Sequence, residues 1–229
     1  MTEKTMAANL AMVRDNIKAA AYKAGREPGE IKLLAVTKKA SIEDMQGAVA
    51  LGLSAFGENK VQQLLAKKPL LPKSIEWHFI GNLQTNKVKA IVSEVQLVHS
   101  LDRWALAEEL HRRALELGTR VKVLVQINVS GEQTKSGLAP GEAKDFIQEA
   151  GNLAGIQVKG LMTMAPLVAN PEETRDVFRE LRLLSEMLKE HTAPGTMEYL
   201  SMGMSNDYRV AVEEGANIIR LGTALFKGV

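Results

Sequence analysis

The chain alternates between two kinds of pattern. Short apolar runs of strand length recur at residues 31–36, 53–56, 75–80, 95–98, 121–129, 156–164, 197–200 and 216–221. Between them lie stretches whose apolar residues repeat at helical spacing. No shift in composition and no linker divides the series, so a single domain over residues 1–229 is expected. Alternating β and α elements imply parallel strands joined by right-handed crossovers. About eight such units in a little over 200 residues match the size of a (β/α)8 TIM barrel. The alternative is a doubly wound open sheet, which would usually have fewer units and a glycine fingerprint after its first strand. Here the first strand ends in Thr37-Lys38-Lys39 instead. The expected fold is therefore an α/β barrel. Leu10, Val13, Ile17, Ala20, Ala21 and Ala24 form an amphipathic helix that precedes the repeat as an extra element.

Local signals support the register of these units. Ser41 stands three residues before Asp44 in a capping box, with Met45, Ala48 and Val49 on the inner face of the helix that follows. Asp102 reads as the cap of the helix carrying Trp104, Leu106, Ala107, Leu110, Ala114 and Leu117, and Gly118 closes it. Proline opens the helices at Pro140 and Pro171.

Composition narrows the classes of function. A net charge of +2 gives no argument for a nucleic-acid or charged-membrane partner. The absence of cysteine excludes disulfides, thiolate nucleophiles and cysteine-bound metals. The first ten residues are polar rather than a signal core, and no apolar run approaches the ~20 residues needed to cross a membrane. A cytoplasmic protein is the expectation. His78, His99, His111 and His191 show no metal-ligand spacing.

A barrel of this kind places its chemistry at the carboxyl ends of its strands. Those ends offer Lys38, Asn59, Gly81-Asn82, Ser100, Asn128 to Ser130, Met162 to Met164, Ser201 to Ser205, and Arg220 to Thr223. The set holds one lysine, one arginine and several small neutral donors, which suits a bound anion bearing a reactive carbonyl. Lys38 either points inward, where Schiff-base chemistry would sit, or leaves a strand that exits into water. Ser201, Gly203 and Ser205 fall after the seventh strand, and Gly222-Thr223 after the eighth, the places where barrels often hold phosphate. On the plainer reading, Ser205 caps the next helix and Gly222 turns the chain. Arg220 ends an apolar strand and either faces a ligand ring or is solvated above the rim.

Several words in the sequence carry a resemblance. They are Leu34-Ala35-Val36-Thr37-Lys38, Phe56-Gly57-Glu58-Asn59, the run from Trp77 through Gly81 and Gln84 to Lys87, Val129-Ser130 and Gly160-Leu161-Met162. Ser201-Met202-Gly203-Met204-Ser205 and Arg220-Leu221-Gly222-Thr223 complete the set. Together, in order over essentially the whole chain, they resemble the pyridoxal phosphate homeostasis protein family. Members look like the barrel domain of alanine racemase standing alone, a fold type III binder of pyridoxal 5′-phosphate (PLP). The resemblance implies that Lys38 holds PLP as a Schiff base, that Asn59 lies near the ring, and that Arg220 faces the pyridine nitrogen. It also implies that Ser201, Ser205, Gly222 and Thr223 cradle the phosphate. The family usually has Ser-Lys-Thr-Lys-Pro around the lysine, where this chain has Thr37-Lys38-Lys39-Ala40-Ser41; alignment of the preceding Leu-Ala-Val assigns Lys38.

Arginine against the pyridine nitrogen disfavours ring protonation and weakens the ring as an electron sink. Racemisation also needs a second acid or base, which in the racemases is a tyrosine from a separate β domain. The tyrosines here are Tyr22, Tyr199 and Tyr208, and no such second domain is expected beside the barrel. The resemblance therefore implies a carrier that acts in vitamin B6 and amino-acid/keto-acid homeostasis without robust catalysis, handing PLP to enzymes that require it. A monomer is expected. The competing expectation is a racemase of low activity that recruits Tyr199 or His78. Residues 130–137 form a polar loop of unassigned role.

Overall fold

Eight parallel strands close on themselves in chain order, so the sequential pattern of the chain becomes a ring. The computed structural model describes residues 3–226. The strands are β1 (Lys32–Val36), β2 (Ala55–Glu58), β3 (Glu76–Phe79) and β4 (Leu97–Leu101), followed by β5 (Val121–Gln126), β6 (Ile156–Met162), β7 (Tyr199–Ser201) and β8 (Ile218–Leu221). Pairing of Leu34 with Arg220 and Ala35 with Leu221 seals β1 against β8. The expected α/β TIM barrel is the observed fold.

Strand side chains alternate in direction, and the chain uses the two directions differently. One set fills the barrel interior: Leu34, Ala55, Leu97, Leu124, Met162 and Ile218 pack together, flanked by Ile80, Met164 and Tyr199. The other set, including Phe56, Trp77, Phe79, Val98, Val123, Val125, Leu161 and Ile219, joins the larger core beneath the helices. Both layers are needed because a parallel strand is covered on both faces.

The helices return the chain from the carboxyl end of one strand to the start of the next. They are α1 (Glu3–Lys23), α2 (Ile42–Ala50), α3 (Val61–Lys67), α4 (Val88–Ile91) and α5 (Trp104–Glu116), then α6 (Ala143–Gly151), α7 (Arg175–Lys189), α8 (Tyr208–Glu213) and α9 (Thr223–Phe226). The capping box of Ser41 and Asp44 is present at the start of α2. Helix α1 is the extra element. Its buried stripe of Met6, Leu10, Val13, Ile17, Ala20 and Ala21 packs on α8 and α9. Asn16 donates to the Tyr208 hydroxyl at 2.9 Å, and Lys23 pairs with Glu213 at 2.8 Å.

Two local expectations change. Asp102 does not cap α5: Arg103 occupies the cap position, and Asp102 pairs with the Arg103 guanidinium at 2.6 Å. Strand β4 continues through His99 and Ser100 rather than ending at residue 98, because the His99 ring finds hydrogen-bond partners inside the barrel. A polar side chain can extend a buried strand when its partners are inside too.

Gly81 fixes how closely the turns after β2 and β3 approach. A Cβ at this position would lie 2.2 Å from the Asn59 carbonyl oxygen, so a side chain there forces backbone apart. Gly29 faces open space. Gly81→Ala is expected to cost roughly 1–3 kcal/mol, lowering the melting temperature by several degrees. Gly29→Ala should stay within about 0.5 kcal/mol of the parent in the same denaturation experiment.

Candidate functional site

A cavity of about 440 Å³ opens at the carboxyl ends of the strands. It gathers Lys38, Asn59, Ser205, Arg220, Gly222 and Thr223, residues drawn from both ends of the chain. Val36, Ile80 and Met164 add apolar wall. A larger cavity, about 630 Å³, lies at the opposite mouth beside Lys32, Tyr199 and Asn217. It shares none of the residues that the sequence placed at the strand ends, and catalytic chemistry in barrels sits at the carboxyl face.

Lys38 reaches this cavity by a turn rather than by strand alternation. Strand β1 ends at Val36, Thr37 is fully buried, and Lys38 and Lys39 form the exposed turn that follows. Of the two lysines, Lys38 lines the cavity and Lys39 does not. The turn is anchored from below. The Thr37 hydroxyl donates to the buried Glu58 carboxylate at 2.8 Å, and Lys67 donates both to Glu58 at 2.6 Å and to the Thr37 carbonyl at 2.7 Å. A buried charge is tolerated here because it is paired and hydrogen-bonded. Sequence reading missed this support, since Glu58 and Lys67 sit in separate elements nine residues apart.

Asn59 follows directly after β2. Its side-chain carbonyl oxygen is buried and has no hydrogen-bond partner among the described residues. An orphaned acceptor of this kind is costly unless a ligand or water donates to it.

Arg220 is almost fully buried near the end of β8. It donates to the Ser201 carbonyl at 2.7 Å, the Ser201 hydroxyl at 2.6 Å and the Thr163 carbonyl at 2.8 Å. These three bonds leave two of its five N–H donors for the cavity that it lines. Burial pulls its pKa down to about 10, partly offset by the Asp207 carboxylate, so the group stays cationic at neutral pH.

Ser201 is brought to a different place from the other predicted residues. It is fully buried beneath the cavity and does not line it. Its hydroxyl is shared between Arg220 and His99 Nδ1, the latter at 2.9 Å. Ser205 does line the cavity, and it accepts from the backbone N–H groups of Gly222 at 3.3 Å and Ala224 at 3.1 Å. It thereby caps α9 rather than α8, joining the loops after β7 and β8 in one corner. Gly203, with φ +91°, supplies the left-handed turn that this loop requires; a Cβ there would also lie 2.6 Å from that of Ala211.

Three more wall residues, Gln126, Ser136 and Asp207, were not singled out by the sequence, and the strand-end residue Asn82 joins them. Gln126 donates to the Ser136 carbonyl at 2.8 Å, and Asn82 to the Ser136 hydroxyl at 3.2 Å, so the loop at residues 130–137 closes one side of the cavity. Asp207 also lines it, accepting from the Met204 N–H at 2.6 Å, and burial raises its carboxyl pKa. Nothing in the periodicity around Asp207 distinguishes it from a helix-start residue.

Beneath Arg220 the barrel interior is polar. His99 Nε2 lies 2.9 Å from His78 Nδ1, and both rings are buried. Burial depresses both imidazoles; His78 falls from the ordinary 6.5 to about 4, and His99 lies well below its usual value. Both rings are therefore neutral at pH 7. Among the described residues no cluster of His, Cys, Asp or Glu has the arrangement of a metal site, and no helix is long and apolar enough to cross a membrane.

A lysine, an arginine and a small-residue corner on one barrel mouth define the racemase-type barrel, and the comparisons with known proteins agree. Residues 8–228 match the family described as alanine racemase, N-terminal domain. A pyridoxal phosphate homeostasis protein of Aquifex aeolicus is 43% identical over 219 residues, covering 95% of each chain. The solved structure of PipY from Synechococcus elongatus with PLP bound is 35% identical, covers 96% of this chain and 99% of its own, and superposes with a TM-score of 0.83. The alanine racemase of Clostridium difficile shares the fold at a TM-score of 0.75 and 17% identity, covering 97% of this chain and 56% of the racemase. The chain belongs to the alanine racemase N-terminal domain family, in its pyridoxal phosphate homeostasis protein branch.

The buried imidazoles make stability depend on pH. Their folded pKa values lie below the unfolded value near 6.5, so the unfolded chain binds more protons as pH falls. The contribution of His78 is present above about pH 6.5 and is lost progressively as pH falls toward 4. The loss is on the order of 3 kcal/mol at 1.36 kcal/mol per pKa unit. Denaturation between pH 4 and 7 should show this slope, and His78→Gln should make it shallower.

Proposed function

We propose that this chain binds PLP in the cavity at the carboxyl ends of its strands and serves PLP homeostasis as a carrier rather than as a robust catalyst. The observation that carries this reading is the convergence of Lys38, Asn59, Arg220, Ser205, Gly222 and Thr223 on one wall-bounded space. Its volume of about 440 Å³ falls in the range of small-molecule sites.

The residues fit the cofactor group by group. Lys38 offers a primary amine on an exposed turn, able to hold the aldehyde as a Schiff base. The orphaned Asn59 carbonyl oxygen suits the ring hydroxyl, whose O–H is a donor. Arg220 keeps two N–H donors for the pyridine nitrogen, which must then accept rather than carry a proton. The Ser205 and Thr223 hydroxyls suit the phosphate as donors, and Gly222, without a side chain, lets it approach this corner closely. In this reading Ser201 contributes through Arg220 and not by touching the phosphate.

PLP supplies an electrophilic carbonyl and an electron sink when bound. What this chain's residues do with it follows from their protonation. Arg220 remains charged and donates, so it discourages a proton on the ring nitrogen and keeps the sink weak. Among the described residues the cavity wall holds no tyrosine or histidine to serve as a second acid or base. Tyr199 lies at the opposite mouth, Tyr208 is tied to Asn16, and Tyr22 is exposed on α1. His78 is buried below the cavity with a ring nitrogen already bonded to His99. Asp207 is held by the Met204 N–H. The arrangement favours holding PLP and releasing it to enzymes that require it, and so a part in vitamin B6 and amino-acid/keto-acid balance.

Adding PLP to the purified protein is expected to produce the visible absorbance band of a lysine-bound cofactor. Lys38→Ala should abolish that band and Lys39→Ala should leave it. A band retained in Lys38→Ala and lost in Lys39→Ala would move the attachment point. A preparation that stays colourless with PLP would remove the cofactor reading. The racemase alternative is checked by proton–deuterium exchange at Cα over a panel of amino acids. The carrier reading expects little exchange, and turnover of about 1 per second or faster would contradict it.

A further inference from the structure

The hydrogen bonds beneath Arg220 continue across the barrel. Arg220 donates to the Ser201 hydroxyl at 2.6 Å, Ser201 Oγ lies 2.9 Å from His99 Nδ1, and His99 Nε2 lies 2.9 Å from His78 Nδ1. His78 Nε2 lies 3.8 Å from the Glu76 carboxylate, which pairs with Lys32 at the opposite, partly exposed mouth. The chain therefore links the candidate cofactor cavity to the far end of the barrel through its centre.

The direction of every proton in this chain can be deduced. A guanidinium only donates, so Ser201 must accept from it. The Ser201 O–H then has one acceptor in reach, His99 Nδ1, which must carry a lone pair. A neutral His99 with Nδ1 bare is protonated at Nε2 and donates to His78 Nδ1. His78 is in turn protonated at Nε2, and that N–H faces the Glu76 carboxylate. The reverse order leaves the Ser201 O–H without an acceptor and turns a bare His78 nitrogen toward an anion. In the deduced order each dipole presents its negative end toward Arg220 and its positive end toward Glu76. Aligned dipoles in a low-dielectric interior reinforce one another.

We propose that His99 and His78 are positioning residues for Arg220, forming with Ser201 a neutral relay of fixed polarity that orients and stabilises the guanidinium against the bound cofactor ring. The relay answers a problem that the site creates for itself, since no carboxylate makes ion-pair contact with Arg220 among the described residues. Its structural part, the tautomers, stands on the protein alone. Its functional part rests on the reading of the cavity as a PLP site.

The test uses the whole chain and two independent readouts. Long-range proton–nitrogen correlation spectra of the nitrogen-15 histidine-labelled protein, without PLP at pH 7, report tautomers directly. Both His78 and His99 are expected as neutral rings protonated at Nε2. Protonation of His99 at Nδ1, or an imidazolium at either position, overturns the relay. The second readout is PLP binding to Ser201→Ala, which removes the hydroxyl acceptor of Arg220, leaves its two carbonyl acceptors, and breaks the chain without touching Lys38. The bound band is expected to shift, and the affinity for PLP to fall on the order of tenfold. An unchanged band and affinity overturn the positioning role. If Ser201→Ala does not fold, Glu76→Gln at the partly exposed mouth reads the same coupling. Its expected effect is a displaced His78 Nε2–H resonance and a smaller shift of the bound band, and no change in either overturns the proposal. If the parent protein gives no band with PLP, the cofactor reading fails while the tautomer spectra still decide the relay.

Discussion

A guanidinium buried at the end of a barrel strand has to be compensated, and much of this protein's centre is arranged around that requirement. Arg220 cannot shed its proton at neutral pH, and it lies where the apolar interior gives way to the cavity. Its acceptors are two backbone carbonyls and one hydroxyl, taken from β7 and the segment just after β6. The Thr163 carbonyl lies just past the end of β6 at Met162, whereas the Ser201 carbonyl accepts both from the Thr163 N–H at 3.1 Å and from Arg220.

The opposite side of the cavity is organised by a second buried charge. Glu58 lies beneath the turn that carries Lys38 and is neutralised by Lys67 and the Thr37 hydroxyl. Lys38 is therefore not itself buried. Its backbone is fixed from below while its side chain lines the cavity, an arrangement that suits the covalent link proposed for it. Breaking the Glu58–Lys67 pair by removing one partner is expected to be more damaging than replacing both, because it leaves a buried charge uncompensated.

The fold was largely legible because its signals are local and repeated. Eight apolar runs, capping residues such as Ser41 and turn glycines each announce one unit, and the closed ring follows from their number. Lys38, Asn59, Ser205, Arg220, Gly222 and Thr223 were legible as strand-end residues, and closure brings them to one cavity. Ser201 was also legible as a strand-end residue, yet its side chain points down into the barrel, since direction on a three-residue strand depends on where pairing with β8 begins. The His78 to His99 contact was not legible at all. Each histidine looks like an isolated polar residue in its own strand, and only the register of adjacent strands sets their rings side by side. Asp207 and the loop at residues 130–137 were missed for a similar reason, since their place in the wall depends on loop paths without periodicity.

The proposed role of the cavity depends most on Lys38 being the point at which PLP is held. Borohydride reduction of the PLP-loaded protein, followed by proteolysis and mass spectrometry, locates the attachment among all the lysines of the chain. One dominant pyridoxyl modification is expected at Lys38, in stoichiometric yield, competed away by excess amine before reduction. Modification concentrated at another residue, or scattered over surface lysines with Lys38 unmodified, would contradict it.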